Sequence, residues 1–114
     1  MSKHRITVDG IEYVRAQPEG AQYVIVRCNR ASPFAGYVEE PLNGQQIKLT
    51  QARRLWYWQG AASLSELAIS GPGVPKDCKF AEPVTVTLTD AIEVIEVTGD
   101  ARVAISEVPA WTAQ

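Results

Sequence analysis

Residues 51–60 read Gln51-Ala52-Arg53-Arg54-Leu55-Trp56-Tyr57-Trp58-Gln59-Gly60, an arginine pair, a leucine and then three consecutive aromatics. No glycine or proline interrupts the run before Gly60, and aromatic side chains suit a pleated, half-buried surface, so the stretch predicts a strand. Alternation along that strand puts Arg53, Leu55 and Tyr57 on one face and Arg54, Trp56 and Trp58 on the other.

Immediately downstream, Ser63-Leu64-Ser65-Glu66 has the form of a capping box, with Ser63 as N-cap and Glu66 reaching back. It predicts a short helix that turns Leu64, Leu67 and Ala68 inward and stops at Gly71-Pro72. A Gly/Pro-rich loop to Pro75 and an irregular stretch from Lys76 to Glu82 follow. Val84–Leu88 alternates valine and leucine with threonine, as a half-buried strand does. In Ala91–Val97 the doubled Val94-Ile95 predicts a bulge. Ala101, Ala104, Ile105 and Val108 recur at helical spacing and predict a short closing helix, with Pro109-Ala110-Trp111 as a tail.

Upstream, Asp9-Gly10 between Ile6-Thr7-Val8 and Ile11-Glu12-Tyr13-Val14 is a hairpin signal, and Gln17-Pro18-Glu19-Gly20 a turn or linker. Gln22–Asn29 carries apolar residues on both faces and predicts a central strand. Phe34–Glu40 and Gln45–Thr50 predict two more strands around a turn at Pro41-Leu42-Asn43-Gly44. The expected architecture is one α+β domain over 1–114. It is a mostly antiparallel curved sheet or partly open β-barrel with two short helices, preceded by a hairpin extension at 1–20.

Bulk composition bounds the function. The chain has 114 residues, 46% hydrophobic and 21% charged, an ordinary globular balance that supports one core. No apolar run approaches the ~20 residues of a membrane span, and no apolar signal region follows Met1-Ser2-Lys3-His4-Arg5, so a cytoplasmic protein without membrane contact is expected. Cys28, Cys78 and the single His4 do not make a metal site. Residues 1–60 hold eight Lys/Arg against five Asp/Glu, and residues 61–114 three against eight, so the halves carry +3 and −5. That split suits an anion site in the first half or attraction between subunits, and lacks the dense basic stripe of a DNA or RNA binder.

Catalytic signatures are missing. There is no Gly-x-Ser-x-Gly elbow and no Gly-rich phosphate loop, and a lone N-terminal histidine offers no base for a Ser or Cys nucleophile. The expectation is a protein that is not an enzyme and carries no cofactor. If the strands at 22–29 and 51–58 are neighbours, Arg27 and Arg30 converge with Arg53 and Arg54. Guanidinium forks hold phosphate bidentately, Trp56, Trp58 or Phe80 could stack a base, Lys79 sits in a loop that could rim the pocket, and Ser63 and Ser65 present a helix start to an anion. On this reading, loss of Arg53 or Arg54 removes binding and leaves folding intact. The competing reading makes the aromatics core or interface, the arginines ion-pair partners of the acidic half, and Phe80 a core plug.

The stretch Ala52-Arg53-Arg54-Leu55-Trp56-Tyr57-Trp58, then Gly60-Ala61, Ser63-Leu64-Ser65-Glu66-Leu67-Ala68, Cys78-Lys79-Phe80 and the ending Val108-Pro109-Ala110-Trp111, resembles a family of small, largely uncharacterised proteins of tailed phages and prophages. The likeness covers about residues 23–111, so that 22–111 forms the family core. It implies a phage accessory protein working in the cytoplasm of the bacterial host. By analogy with phage sponges, it implies a homo-oligomer that sequesters a cyclic-nucleotide or ADP-ribose-type immune signal. The alternative is a phage structural or host-protein-interaction module with no small ligand.

Overall fold

A computed structural model describes residues 5–8, 11–14, 21–39 and 45–113. The first two strands, β1 (Arg5–Val8) and β2 (Ile11–Val14), pair antiparallel with Val8 opposite Ile11, as the Asp-Gly signal requires. The turn residues 9–10, the linker at 17–20 and the turn at 41–44 lie outside the described residues.

The remaining elements build an open, curved, antiparallel sheet with two helices, an α+β fold. They are β3 (Tyr23–Cys28), β4 (Phe34–Val38), β5 (Ile47–Tyr57), helix α1 (Leu64–Ser70), a 3-10 turn (Pro75–Asp77), β6 (Lys79–Phe80), β7 (Val84–Leu88), β8 (Ala91–Glu96) and helix α2 (Gly99–Ser106). The sheet order is β6-β5-β4-β3-β8, with β7 also pairing β5. No helix among the described residues is long and apolar enough to cross a membrane.

Strand β5 corrects the sequence reading. The two strands expected at 45–50 and 51–60 are one strand of 11 residues. Gln51 joins them at a positive φ of 51° and acts as a bulge. Ala35 faces Arg53 and Tyr37 faces Thr50, so β5 carries one residue more than β4 across this interval. The extra residue turns both Leu49 and Ala52 to the same side of the sheet. Gly36 sits against the bulge, where a Cβ would lie 2.9 Å from the Ala52 Cα. The bulge expected at Val94-Ile95 is displaced. Cys28 pairs Ala91 and Arg27 pairs Glu93, so the additional residue is Ile92, while Val94 and Ile95 stay in register opposite Val26 and Ile25.

Val94 and Ile95 are both apolar because the sheet has a core on each side. On one side Tyr23, Ile25, Ala35, Tyr37, Leu55 and Phe80 pack under Leu67 and Ala68 of α1, Ile105 of α2 and Val108. On the other, Val24, Val26, Phe34, Ile47, Leu49, Ala52 and Leu88 come from strands alone. Burial of apolar area on both faces accounts for the near-continuous hydrophobic run of β3. The Ser63 cap forms as expected, with Glu66 N–H donating to Ser63 Oγ at 3.2 Å, while the Glu66 side chain reaches one residue beyond the N-cap and accepts from Ala62 N–H at 2.7 Å. Thr98 caps α2 in the same way, its Oγ1 accepting from Ala101 N–H at 3.1 Å.

Candidate functional site

The end of β5, the short strand β6 and the chain after α2 meet at an open groove of about 340 Å³ lined by Trp56, Tyr57, Lys79 and Trp111. β5 presents Trp56 and Tyr57 at its last two positions. Tyr57 is the register partner of Lys79 on β6. Trp111 arrives because the chain beyond α2 runs alongside β6: Ala110 bridges Phe80, and Trp111 N–H donates to the Phe80 carbonyl at 2.9 Å. Val108 anchors this segment in the core. Trp56, Tyr57 and Trp111 remain 54%, 44% and 48% exposed, an unusual concentration of uncovered aromatic surface for one site.

Each tryptophan wall already has a cation against it. The Arg54 guanidinium carbon lies 4.4 Å from the Phe34 ring centroid and 5.4 Å from that of Trp56. Phe34 is the register partner of Arg54, so these three side chains form a ladder on one sheet face. The Lys79 ammonium lies 5.1 Å from the Trp111 ring centroid. Tyr57 Oη accepts a hydrogen bond from Gln59 Nε2.

Arg53 is not at this groove. It is 4% exposed, and its guanidinium donates to three main-chain carbonyls: Ala81 at 2.8 Å, Ile105 at 2.9 Å and Phe80 at 3.2 Å. Burial pushes its pKa below the usual arginine value, an effect opposed by Tyr23. Its donors are engaged by the fold, which corrects its expected role as a phosphate ligand; it secures the segments that carry Lys79 and Trp111.

The other expected ligand residues divide. β4 lies between β3 and β5, so Arg27 does not join the arginine pair; instead its Nε donates to Glu93 Oε1 at 2.8 Å. Arg30 is exposed in the β3–β4 connection. Phe80 is fully buried and faces the Arg53 guanidinium at 5.7 Å, so it is a core plug with no free face for a base. Trp58 packs partly buried against the helix-side core, because β5 ends at Tyr57 and the alternation expected to pair it with Trp56 ends there too. Ser63 is the N-cap of α1, and Ser65 is exposed within that helix. Of the expected set, Trp56 and Lys79 are brought together, with Arg54 behind Trp56. Tyr57 and Trp111 were missed as site residues, although both stand in the quoted motifs.

Cys28 and Cys78 are free and buried, and burial with Asp90 nearby raises the Cys28 thiol pKa. Among the described residues, no three His, Cys, Asp or Glu side chains cluster to hold a metal ion.

A family described as a domain of unknown function, DUF6948, matches residues 21–105, three quarters of the chain, and the chain belongs to it. No curated protein and no solved structure matches the sequence. Trp56, Tyr57 and Lys79 fall inside the matched span; β1, β2 and Trp111 fall outside it.

Proposed function

We propose that this protein is a non-enzymatic binding protein that holds a small phosphorylated ligand bearing a flat ring, a nucleotide in the broad sense, in the groove between Trp56 and Trp111. The observation that carries the reading is the conjunction of two uncovered indole walls with the Lys79 ammonium 5.1 Å from one of them. Indole faces stack bases whatever their hydrogen-bonding edges, and an ammonium supplies a point charge for phosphate. Among the described residues, the ionisable groups lining the groove are Lys79 and Tyr57, with Lys79 assigned to the phosphate. The resemblance of its motifs to phage proteins supports a setting in an infected bacterial cytoplasm, where a homo-oligomer would sequester a cyclic nucleotide or ADP-ribose-type signal of host immunity.

Native mass spectrometry of the gently purified protein, mixed with cyclic nucleotides and cyclic ADP-ribose isomers, tests this. The expected result is a stoichiometric ligand mass released unchanged on denaturation. Bare protein across the panel would overturn it in favour of the second reading, a phage structural or host-protein-binding module. That reading draws on the same exposed Trp56, Tyr57 and Trp111, residue types that anchor protein interfaces.

A further inference from the structure

A cluster of two tryptophans and a tyrosine commonly suggests a cage for a quaternary ammonium, because the ring faces attract cations. Here both indoles already have a cation of the chain's own. Arg54 stands 5.4 Å from the Trp56 centroid, wedged between it and Phe34, and Lys79 stands 5.1 Å from that of Trp111. A cationic ligand would compete with these charges for the same rings and be repelled by Lys79. The groove therefore selects a neutral or anionic ring.

The supply of positive charge sets how anionic that ring can be. Arg53 is bound to three carbonyl oxygens inside the core. Arg27 is paired with Glu93. Arg54 lies behind Trp56, stacked on Phe34, and is not among the lining residues. Among the described residues, four side chains line the groove and Lys79 is the one cation of them. Among the described residues, glycine-rich backbone, which cradles the chained phosphates of nucleoside triphosphates elsewhere, is absent from the lining.

Resting on the binding reading above, we infer that the ligand presents one phosphate group per stacked ring, as a nucleoside monophosphate or a cyclic phosphodiester does. Nucleoside di- and triphosphates gain nothing from their additional phosphates. Trp56 and Trp111 hold the ring, and Lys79 discriminates the singly phosphorylated form from the bare nucleoside.

Titrations followed by tryptophan fluorescence, at about 0.15 M ionic strength, compare adenosine, 5′-AMP, 3′,5′-cyclic AMP, ADP and ATP, with the guanine series alongside. The monophosphates and cyclic monophosphates are expected to bind about tenfold tighter than the nucleosides, the scale of one charge-assisted hydrogen bond. ADP and ATP are expected to match the monophosphates. K79Q should reduce the monophosphates to nucleoside affinity and K79R restore most of the difference; Lys79 is exposed, so both variants should keep the fold. Affinity that climbs tenfold from AMP to ATP, or nucleosides that bind as well as monophosphates, would overturn the charge assignment and leave a nucleotide-binding groove standing. No response to any of these probes would overturn the binding reading and this inference together.

Discussion

The Arg53 guanidinium and the Ile105 carbonyl oxygen, 52 residues apart in the chain, are joined by a buried hydrogen bond of 2.9 Å. Ile105 lies in the last turn of α2, where carbonyls have no partner within the helix. The same side chain reaches Phe80 and Ala81, so a single cation ties β5 to β6 and to the end of the closing helix. The segment bearing Trp111 continues from that helix, so one wall of the groove depends on this tie.

Arg53→Ala is therefore expected to unfold the domain readily. Its three hydrogen bonds to main-chain carbonyls are lost; the Phe80 and Ile105 carbonyls keep the N–H groups of Trp111 and Val108, and the combined loss is about 3 kcal/mol. Arg53→Lys keeps the charge and lacks the planar fork, and should fall between the two. Urea unfolding of the three proteins reads this directly. Equal midpoints for wild type and Arg53→Ala would refute the tie.

Trp56 behaves in the opposite manner. Its ring is more than half exposed and rests on Arg54. Trp56→Ala should destabilise by only about 1 kcal/mol, the value of a cation–π contact with modest burial. It should also abolish binding of any stacked ligand. A loss near that of truncating a core aromatic, about 3–5 kcal/mol, would show Trp56 to be part of the packing, and thermal melts paired with ligand titration separate the two.

The contrast between neighbouring residues explains what the sequence could and could not tell. The α1 cap was legible because Ser63 and Glu66 act within one turn. β3 and β7 were legible because their patterns are local. The continuity of β5 was not, since alternation counted through Gln51 is blind to a bulge that packs against Gly36 on another strand. Nor was the separation of Arg27 from the arginine pair, which follows from β4 inserting between β3 and β5. Arg53 and Arg54 are adjacent and chemically identical, and only partners 27 to 52 residues away send one into the core and leave the other beneath an exposed indole. Trp111 read as a tail because the bridge that seats it is a non-local contact with Phe80.

At Gly36 the bulge leaves no space. A Cβ there would stand 2.9 Å from the Ala52 Cα and 3.0 Å from the Thr50 carbonyl oxygen, both backbone atoms of β5. Gly36→Ala should lower stability by about 1–3 kcal/mol, the range for overpacking a tight site. Gly99, where an added methyl would meet nothing within 4 Å, is the control, and its alanine variant should stay within about 0.5 kcal/mol of wild type. Indistinguishable midpoints for the two variants would mean that β4 and β5 can separate at the bulge without loss.

Tyr23 links the core to alkaline pH. Burial raises its pKa from 10.0 to about 12, with Arg53 and Arg102 opposing the shift and Tyr37 adding to it. The ring is edge-on to Tyr37 at 4.9 Å, and Arg102 donates to the Tyr37 hydroxyl at 3.3 Å. The phenol is thus held neutral in the folded protein at pH values where the unfolded chain has already released its proton. Between pH 10 and pH 12 the folded state binds more protons than the unfolded one, so stability falls as pH rises through that window. At about 1.4 kcal/mol per pH unit the full contribution is about 2–3 kcal/mol, present below pH 10 and lost by pH 12. Tyr23→Phe keeps the ring and removes the proton. Its unfolding free energy should decline less steeply than wild type across the window, and the two curves should run parallel below about pH 9. Parallel curves up to pH 12 would show that Tyr23 ionises as freely in the folded protein as in the unfolded chain.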